Sequence, residues 1–402
     1  LKDGRSESSP DESVDRREFI KKGLIYGGGF CLTTAMIKML LDAGVADPVT
    51  PQDIPIPSSR GSGQEVMLKE ARWATPGPDD FVRCGLCPNL CNLAPDGRGI
   101  CRTRLNRDGK LYTLAYGNPC SINQDSMQQA PFYHFKPGTT TLSLAIAGCN
   151  FRCLNCQNWE ISQKGPDETD NELLSPLQAV ENAKSLGVSA ITFTYTDPSV
   201  LFEYVYDVFK VARAAGLATL LKSNGYINPE PLEELIPVTS GASIDVKGFT
   251  DKFYAEVCGG TLQPVLDTCE LLQEKGVWLE IPNLIVPTFS DDMDMVRNMS
   301  KWIMESLGPD VPLHFMRFFP EYKLDTLPLT PLLTLTKARN IALEEGLNYV
   351  YIGNIPGASI ADTVCPKCGI TVVEREGVEV IKNLMNSNVC PSCGEIIPGV
   401  WT

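Results

Sequence analysis

Eleven of the fifteen cysteines stand in three short runs, at 84–101, 149–156 and 365–393, and this clustering constrains the chain more than any other feature. Disulfide frameworks spread their cysteines through small secreted domains, whereas Cys-x-x-Cys pairs in a large chain hold metal. The fold must therefore turn the backbone tightly at three separate places, each time aiming several thiols the same way. Cys31, Cys120, Cys258 and Cys269 have no ligand spacing and read as small buried hydrophobes.

Between the second and third runs the chain alternates. Near-continuous apolar stretches predict strands at Leu142–Ala147, Ala190–Tyr195, Ala218–Ser223, Ala242–Val246, Trp278–Val286 and Leu313–Phe319, with a short seventh at Tyr349–Ile352. Helical stretches separate them, near Pro176–Leu186, Val200–Ala215, Pro231–Leu235, Leu262–Lys275, Met293–Leu307 and Leu332–Glu345. Strands apolar on both faces, each followed by a crossover helix, are the pattern of a parallel sheet covered by helices. Six such units fall short of the eight of a complete barrel, so the α/β fold expected is a partial (β/α)6 barrel. Its chemistry belongs at the carboxyl ends of the strands. The cysteine loop at 149–156 begins there, directly after the first strand.

The rest of the chain divides around this barrel. Residues 141–357 are assigned to it, 65–140 to an N-terminal four-cysteine module, and 358–402 to a C-terminal Cys-x-x-Cys module. Residues 47–64 are rich in Pro, Ser and Gly and read as a linker. Residues 1–46 carry the pair Arg16-Arg17, followed by an uncharged stretch from Gly23 to Ile37. That order matches an export signal of the twin-arginine type, which carries folded proteins. The alternative is an ordinary basic helical arm on a cytoplasmic protein. The uncharged stretch is shorter than the roughly 20 residues of a membrane span, and no integral span is expected beyond the signal segment. A net charge of −14 and a pI of 4.8 exclude a nucleic-acid binder that tracks phosphates, which needs a basic surface to displace counterions.

Cys149-x3-Cys153-x2-Cys156 lets one short loop aim three thiols inward, and thiolates are natural ligands for iron–sulfur clusters. Three ligands on a four-iron cube leave one iron open, as a catalytic metal requires. A zinc site with a distant fourth ligand is the other chemistry of such a triad.

The motif, placed after the first strand of a partial barrel, resembles that of the radical S-adenosylmethionine (SAM) superfamily. The match extends to CGLCPNLC (84–91), YHFKPG (133–138), GCNFRCLNCQNWEISQ (148–163), SIDVKGF (243–249), VCGG (257–260), YIGNIPG (351–357) and CPSCGEIIPGVW (390–401). With these segments, residues 80–402 resemble the AmmeMemoRadiSam system radical SAM enzymes, relatives of pyruvate formate-lyase activating enzymes. The resemblance implies a 4Fe-4S cluster on Cys149, Cys153 and Cys156, with SAM chelating the open iron through its amino and carboxylate groups. Reductive cleavage would then give methionine and a 5′-deoxyadenosyl radical that abstracts hydrogen from a substrate. An electron donor of the flavodoxin or ferredoxin kind is implied, as are AMMECR-type and Memo-type partner proteins.

Carried over by position, Asp197 would accept the SAM amino group where relatives have Glu. Ser223 and Asn224 would lie near the ribose. Asp245 and Lys247 share one face of a strand, and Lys247 would neutralise the methionyl carboxylate. Gly353 and Asn354 would receive adenine. Asn155 stands where the family has an aromatic residue, leaving Phe151 or Trp159 to meet adenine. His134 reads as a core residue, and His314 and Arg317 as substrate contacts.

The flanking modules read differently. Cys365-x2-Cys368 and Cys390-x2-Cys393 are matching knuckles, each with Pro after its first Cys and Gly after its second. They form a zinc-ribbon signature, with rubredoxin-like iron the other chemistry of four thiolates. Cys84-x2-Cys87-x3-Cys91-x9-Cys101 suits zinc or an auxiliary iron–sulfur cluster that relays electrons, and the spacing leaves both open.

Three functions follow. The first is a radical SAM enzyme acting on an unidentified substrate, such as a protein, a peptide or a small molecule. The second is an activating enzyme for a glycyl-radical enzyme. The third is an exported iron–sulfur electron carrier without radical chemistry, which the export segment suggests and the open-iron motif opposes.

Overall fold

The computed structural model describes residues 68–355 and 361–402. The twin-arginine segment, the linker and Cys31 lie outside the described residues.

Eight strands make one open sheet: β1 (Ser121–Ser126), β2 (Thr140–Ala145), β3 (Ala190–Phe193), β4 (Ala218–Ser223), β5 (Gly241–Ile244), β6 (Trp278–Ile285), β7 (Leu313–Arg317) and β8 (Val350–Gly353). They lie in chain order, and β2 to β8 are all parallel. Six helices provide the crossovers: α1 (Pro176–Ser185), α2 (Phe202–Ala214), α3 (Pro229–Leu235), α4 (Gln263–Glu274), α5 (Met293–Trp302) and α6 (Leu332–Glu344). This is the partial barrel expected.

Local chemistry sets the elements. Ser175 caps α1: its hydroxyl accepts from Gln178 N at 3.3 Å, and the Gln178 side chain returns the bond at 2.9 Å, with Pro176 at the first helical position. Helix α2 buries Phe202, Val205, Val208, Phe209 and Ala212, one stripe at helical spacing, against the sheet. All four residues of β3 are buried, as a strand covered on both faces requires.

One boundary differs. Strand β1 pairs antiparallel with β2 and belongs to the barrel sheet, whereas the sequence pattern places its residues in the N-terminal module. Its sequence, SINQDS, is polar and half-exposed at the sheet edge, so no apolar run announced it. The module itself is built from short strands in two three-stranded sheets, Lys69–Glu70 with Lys110–Thr113 and Arg104–Arg107, and Ala74–Pro76 with Val82–Cys84 and Asn92–Leu93.

The C-terminal module is a three-stranded antiparallel sheet of β9 (Thr363–Val364), β10 (Thr371–Glu376) and β11 (Glu379–Asn383). It packs Val372, Val373, Ile397 and Trp401 against Tyr133, Tyr349 and Tyr351. Val400 N donates to His134 O at 2.7 Å, and Lys136 N to Val400 O at 2.5 Å. The contacts are with the beginnings of the barrel strands, so this module closes the amino end of the barrel. Beneath it, Glu280 accepts from Tyr133 N, His134 N, Trp278 Nε1 and His314 Nε2 at 2.7–3.0 Å. His134 joins this layer as a satisfied core residue, donating through Nδ1 to Pro398 O at 2.8 Å and accepting from the Tyr351 hydroxyl at 2.6 Å.

Candidate active site

The first parallel strand ends at Ala145, and the chain turns at Gly148 into the cysteine loop. Gly148 has φ +119°, and a Cβ there would stand 2.4 Å from Thr103 Cγ2 and 2.6 Å from Cys101 O. Glycine is required, and the turn locks the loop against the N-terminal module.

Two thiols of the loop have hydrogen-bonding neighbours. Cys149 Sγ receives Phe151 N at 3.4 Å and Asn224 Nδ2 at 3.7 Å. Cys156 Sγ meets Ser162 Oγ at 3.1 Å. Cys153 has its pKa lowered by the neighbouring thiol of Cys258. Burial pushes Cys149 well up, reinforced by the nearby Asp197 carboxylate, and burial also raises Cys156. Metal ligation requires the thiolate, and the donors on Cys149 and Cys156 favour that form against burial. The three sulfurs do not converge on a single-ion point. Among the described residues, the one group of three or more Cys, His, Asp or Glu ligand atoms all within 4.8 Å of one another is Cys365, Cys368, Cys390 and Cys393. Three separated thiols fit the separate irons of a cube.

Asn150 ties the loop to the neighbouring strand ends. Its Nδ2 donates to Tyr226 O at 2.6 Å and Ser199 Oγ at 3.2 Å, and its Oδ1 accepts from Asn224 Nδ2 at 2.8 Å. Asp197, Ser223 and Asn224 come together beyond β3 and at the end of β4. Asp197 is buried, and its carboxylate accepts from Ser199 N at 2.9 Å, Asn224 N at 2.8 Å and the Ser199 and Ser223 hydroxyls. These bonds make it a clamp between the ends of β3 and β4. Burial nevertheless raises its pKa.

Asp245 and Lys247 also meet, with a partner that sequence reasoning missed. Asp245 pairs with Lys247 at 3.0 Å and with Lys222 from β4. Two ammonium groups share one carboxylate, leaving one excess positive charge. Burial opposes charge at both lysines. At Lys247, Asp245 and the Cys153 thiolate outweigh it and raise the pKa, whereas at Lys222 burial prevails and the pKa falls. Asp245 stays below the usual carboxylate range because, against burial, the two lysines hold its charge. The signal for Lys222 was present: it is the single charge in the strand ATLLKS. Cys258 carried no such signal, since its thiol reaches Cys153 only through the fold.

Gly353 ends β8, and Asn354 follows at φ +60° with its amide on Arg317 O at 3.2 Å. Phe151 is fully buried between Tyr226 and Tyr254 and offers no face to a ligand. Trp159 is half-exposed and stacks on Tyr322 at 5.1 Å. His314 lies at the start of β7, buried on Glu280 and away from the mouth, so it is a packing residue where the sequence suggested a substrate contact. Arg317, at the other end of that strand, donates to Thr330 O at 2.8 Å.

The C-terminal thiols suit one ion. Cys365 and Cys393 sulfurs are 3.6 Å apart and Cys368 and Cys390 sulfurs 3.8 Å. A tetrahedral ion with metal–sulfur bonds of about 2.3 Å needs about 3.8 Å.

A sequence profile of the radical SAM superfamily matches residues 144–301. The chain is 44% identical over 332 residues to an uncharacterized protein of Methanocaldococcus jannaschii, covering 82% of this chain and 99% of that one. It is 24% identical over 214 residues to the pyruvate formate-lyase 1-activating enzyme of Escherichia coli, covering 50% of this chain and 87% of the relative. Among solved structures, a domain of a pyruvate-formate lyase-activating enzyme from Bacteroides vulgatus aligns with a TM-score of 0.37 at 15% identity, covering 41% of this chain and 99% of that domain. The matched segment begins in the first parallel strand and contains the three-cysteine loop at its carboxyl end, and the chain carries a radical SAM domain.

Proposed function

We propose that the chain is an enzyme that holds a 4Fe-4S cluster on Cys149, Cys153 and Cys156 and uses SAM to take a hydrogen atom from a substrate, a protein, peptide or small molecule. The observation that carries this is the three-thiol loop at the strand mouth, with Cys149 and Cys156 hydrogen-bonded and the three sulfurs not converging on a single-ion point. Given one electron from a flavodoxin- or ferredoxin-like donor, cluster and SAM together supply hydrogen abstraction by reductive cleavage of the sulfonium. The protein's share is binding and orientation. Lys247, with Lys222 behind Asp245, presents the positive charge that a methionyl carboxylate needs. Asp197 fixes Ser223 and Asn224, and through Asn224 it orients Cys149. Gly353 and Asn354 offer a turn for adenine.

Anaerobically reconstituted protein, reduced and given SAM, should release 5′-deoxyadenosine slowly without its substrate, and Cys153→Ala should abolish the product. A reduced four-iron signal that SAM leaves unmoved, with no deoxyadenosine, would replace the enzyme with an iron–sulfur electron carrier.

The likeness to an activating enzyme supports a second reading, in which the hydrogen comes from a backbone glycine of a partner enzyme. Its test is a glycyl radical signal on a co-expressed partner. We also propose membership of the AmmeMemoRadiSam system, with AMMECR-type and Memo-type partners. Two segments that carry that resemblance have definite places here. Gly259 and Gly260 of VCGG pack under Arg152 and Phe151, and Trp401 of the closing motif is buried in the C-terminal core. Co-purification of either partner type with the tagged chain tests it, and recovery of neither would remove the assignment.

A further inference from the structure

The four cysteines of the N-terminal module line one small cavity, together with Asn89 and Arg104. Their sulfurs do not close on a single ion: no three of them lie within 4.8 Å of one another, whereas all four of the C-terminal set do. The same chain thus shows both arrangements, one collapsed to the spacing of a tetrahedral ion and one held open. Arg104 supplies an independent observation. It is 1% exposed and lines the cavity; Nη1 pairs with Glu203 at 2.8 Å, while Nε and Nη2 have no hydrogen-bond partner in the protein. A buried guanidinium with two unanswered nitrogens, three N–H groups in all, calls for an anionic acceptor. Four thiolates around a 4Fe-4S core carry a net charge of about −2, and their sulfurs accept hydrogen bonds.

We propose that Cys84, Cys87, Cys91 and Cys101 hold a second 4Fe-4S cluster, with Arg104 as its buried hydrogen-bonding counter-charge, and that this cluster passes electrons to the one on Cys149, Cys153 and Cys156. The relay rests on the function proposed above; the identity of the N-terminal cluster does not. The two sites share an interface. Cys101 O lies against Gly148, the residue before Cys149, Thr103 bonds both the Cys101 sulfur at 3.2 Å and Val200 O at 3.1 Å, and Asn89 Nδ2 donates to Asn150 O at 2.9 Å. One electron enters the N-terminal cluster from a reduced flavodoxin- or ferredoxin-like protein, reducing it, and leaves to the central cluster, restoring it. The C-terminal site closes the opposite end of the barrel and is excluded from this route.

The experiment separates identity from role. Wild-type protein should contain about eight irons per chain, and Cys149→Ala/Cys153→Ala/Cys156→Ala about four, with a four-iron signal on reduction. No iron in the triple variant, or one, would overturn the second cluster whatever the wild type does with SAM. Arg104→Gln in the triple-variant background should keep the four irons and move the midpoint potential to more negative values, because reduction adds negative charge that the guanidinium no longer offsets. An unmoved potential would remove Arg104 from the site. Cys87→Ala/Cys101→Ala should retain the central four irons and deoxyadenosine release driven by dithionite, but lose at least tenfold with reduced flavodoxin. Equal losses with both reductants, or none with flavodoxin, would overturn the relay.

Discussion

Replacing Gly148 with alanine tests the junction on which both cysteine sites depend. The new Cβ would fall 2.4 Å from Thr103 Cγ2 and 2.6 Å from Cys101 O, in a backbone at φ +119°. The conformation alone costs a non-glycine residue about 1–3 kcal/mol. Overpacking of this kind adds about 1–3 kcal/mol, and more where the obstacle is a backbone carbonyl. Gly148 N is itself bonded to Ile161 O at 3.1 Å, so the glycine has little room to retreat. Together these predict a loss of about 3 kcal/mol or more, which in a folded unit of this size lowers Tm by about 4 °C or more. The strain falls between Cys101 and Cys149, so iron content should fall at both sites. Thr103→Ser in the same chain removes the methyl contact but leaves the carbonyl contact, and should recover less than half of the loss. The assay is a thermal melt with iron analysis on anaerobically purified proteins. A Gly148→Ala protein that matches wild type in Tm and iron would refute the reasoning, because the turn would then have alternatives the packing denies it.

Cys393→Ser should remove one zinc per chain and lower Tm while the iron count stays unchanged, since the four sulfurs lie within 4.8 Å of one another, two pairs at 3.6 and 3.8 Å, as a closed four-thiolate site requires; loss of iron with zinc retained would reassign the metal. His134 is held at a pKa of about 4 by burial, and Arg375 and His314 add to this against the opposing pull of Glu280. Its folded pKa is below the unfolded value of about 6.5, so the unfolded chain binds the extra proton and stability falls by about 2 kcal/mol between pH 7 and pH 5. His134→Gln should flatten that slope in denaturant titrations, and parallel slopes would assign the acid sensitivity elsewhere. For export, Arg16→Lys with Arg17→Lys should retain the protein in the cytoplasm with its clusters intact, and unchanged fractionation would remove the targeting proposal.

The barrel was legible because its strands are buried on both faces. An apolar run such as AITF in β3 can be little else once a helix follows it, and the crossover order came with the pattern. Strand β1 was not legible, because SINQDS sits at the edge and needs no apolar side chains. The cysteine ligands were legible for the same reason that their metals were not. Spacing along the chain says which thiols can face one point, but the distance between sulfurs is set by the turns around them. Cys365 to Cys393 and Cys84 to Cys101 are both four-thiol sets with a Cys-x2-Cys opening, and only the folded geometry separates a collapsed site from an open one. Arg104 gave no signal at all: in RLNR it reads as a surface charge, and its burial beside the four thiols follows from Glu203, far along the chain.

Placement along the barrel axis separates the two modules further. The C-terminal ribbon packs on Tyr349 and Tyr351, where the last strand begins, and reaches the Glu280 layer through His134. The N-terminal module packs on Gly148, Val200 and Asn228, which follow the carboxyl ends of β2, β3 and β4. In a parallel barrel those two ends are not equivalent. Strand carboxyl ends carry the chemistry and strand amino ends carry stability. A metal at the ribbon can therefore hold the base of the barrel together without touching the reaction. A cluster in the N-terminal module stands at the mouth, where an electron has to arrive.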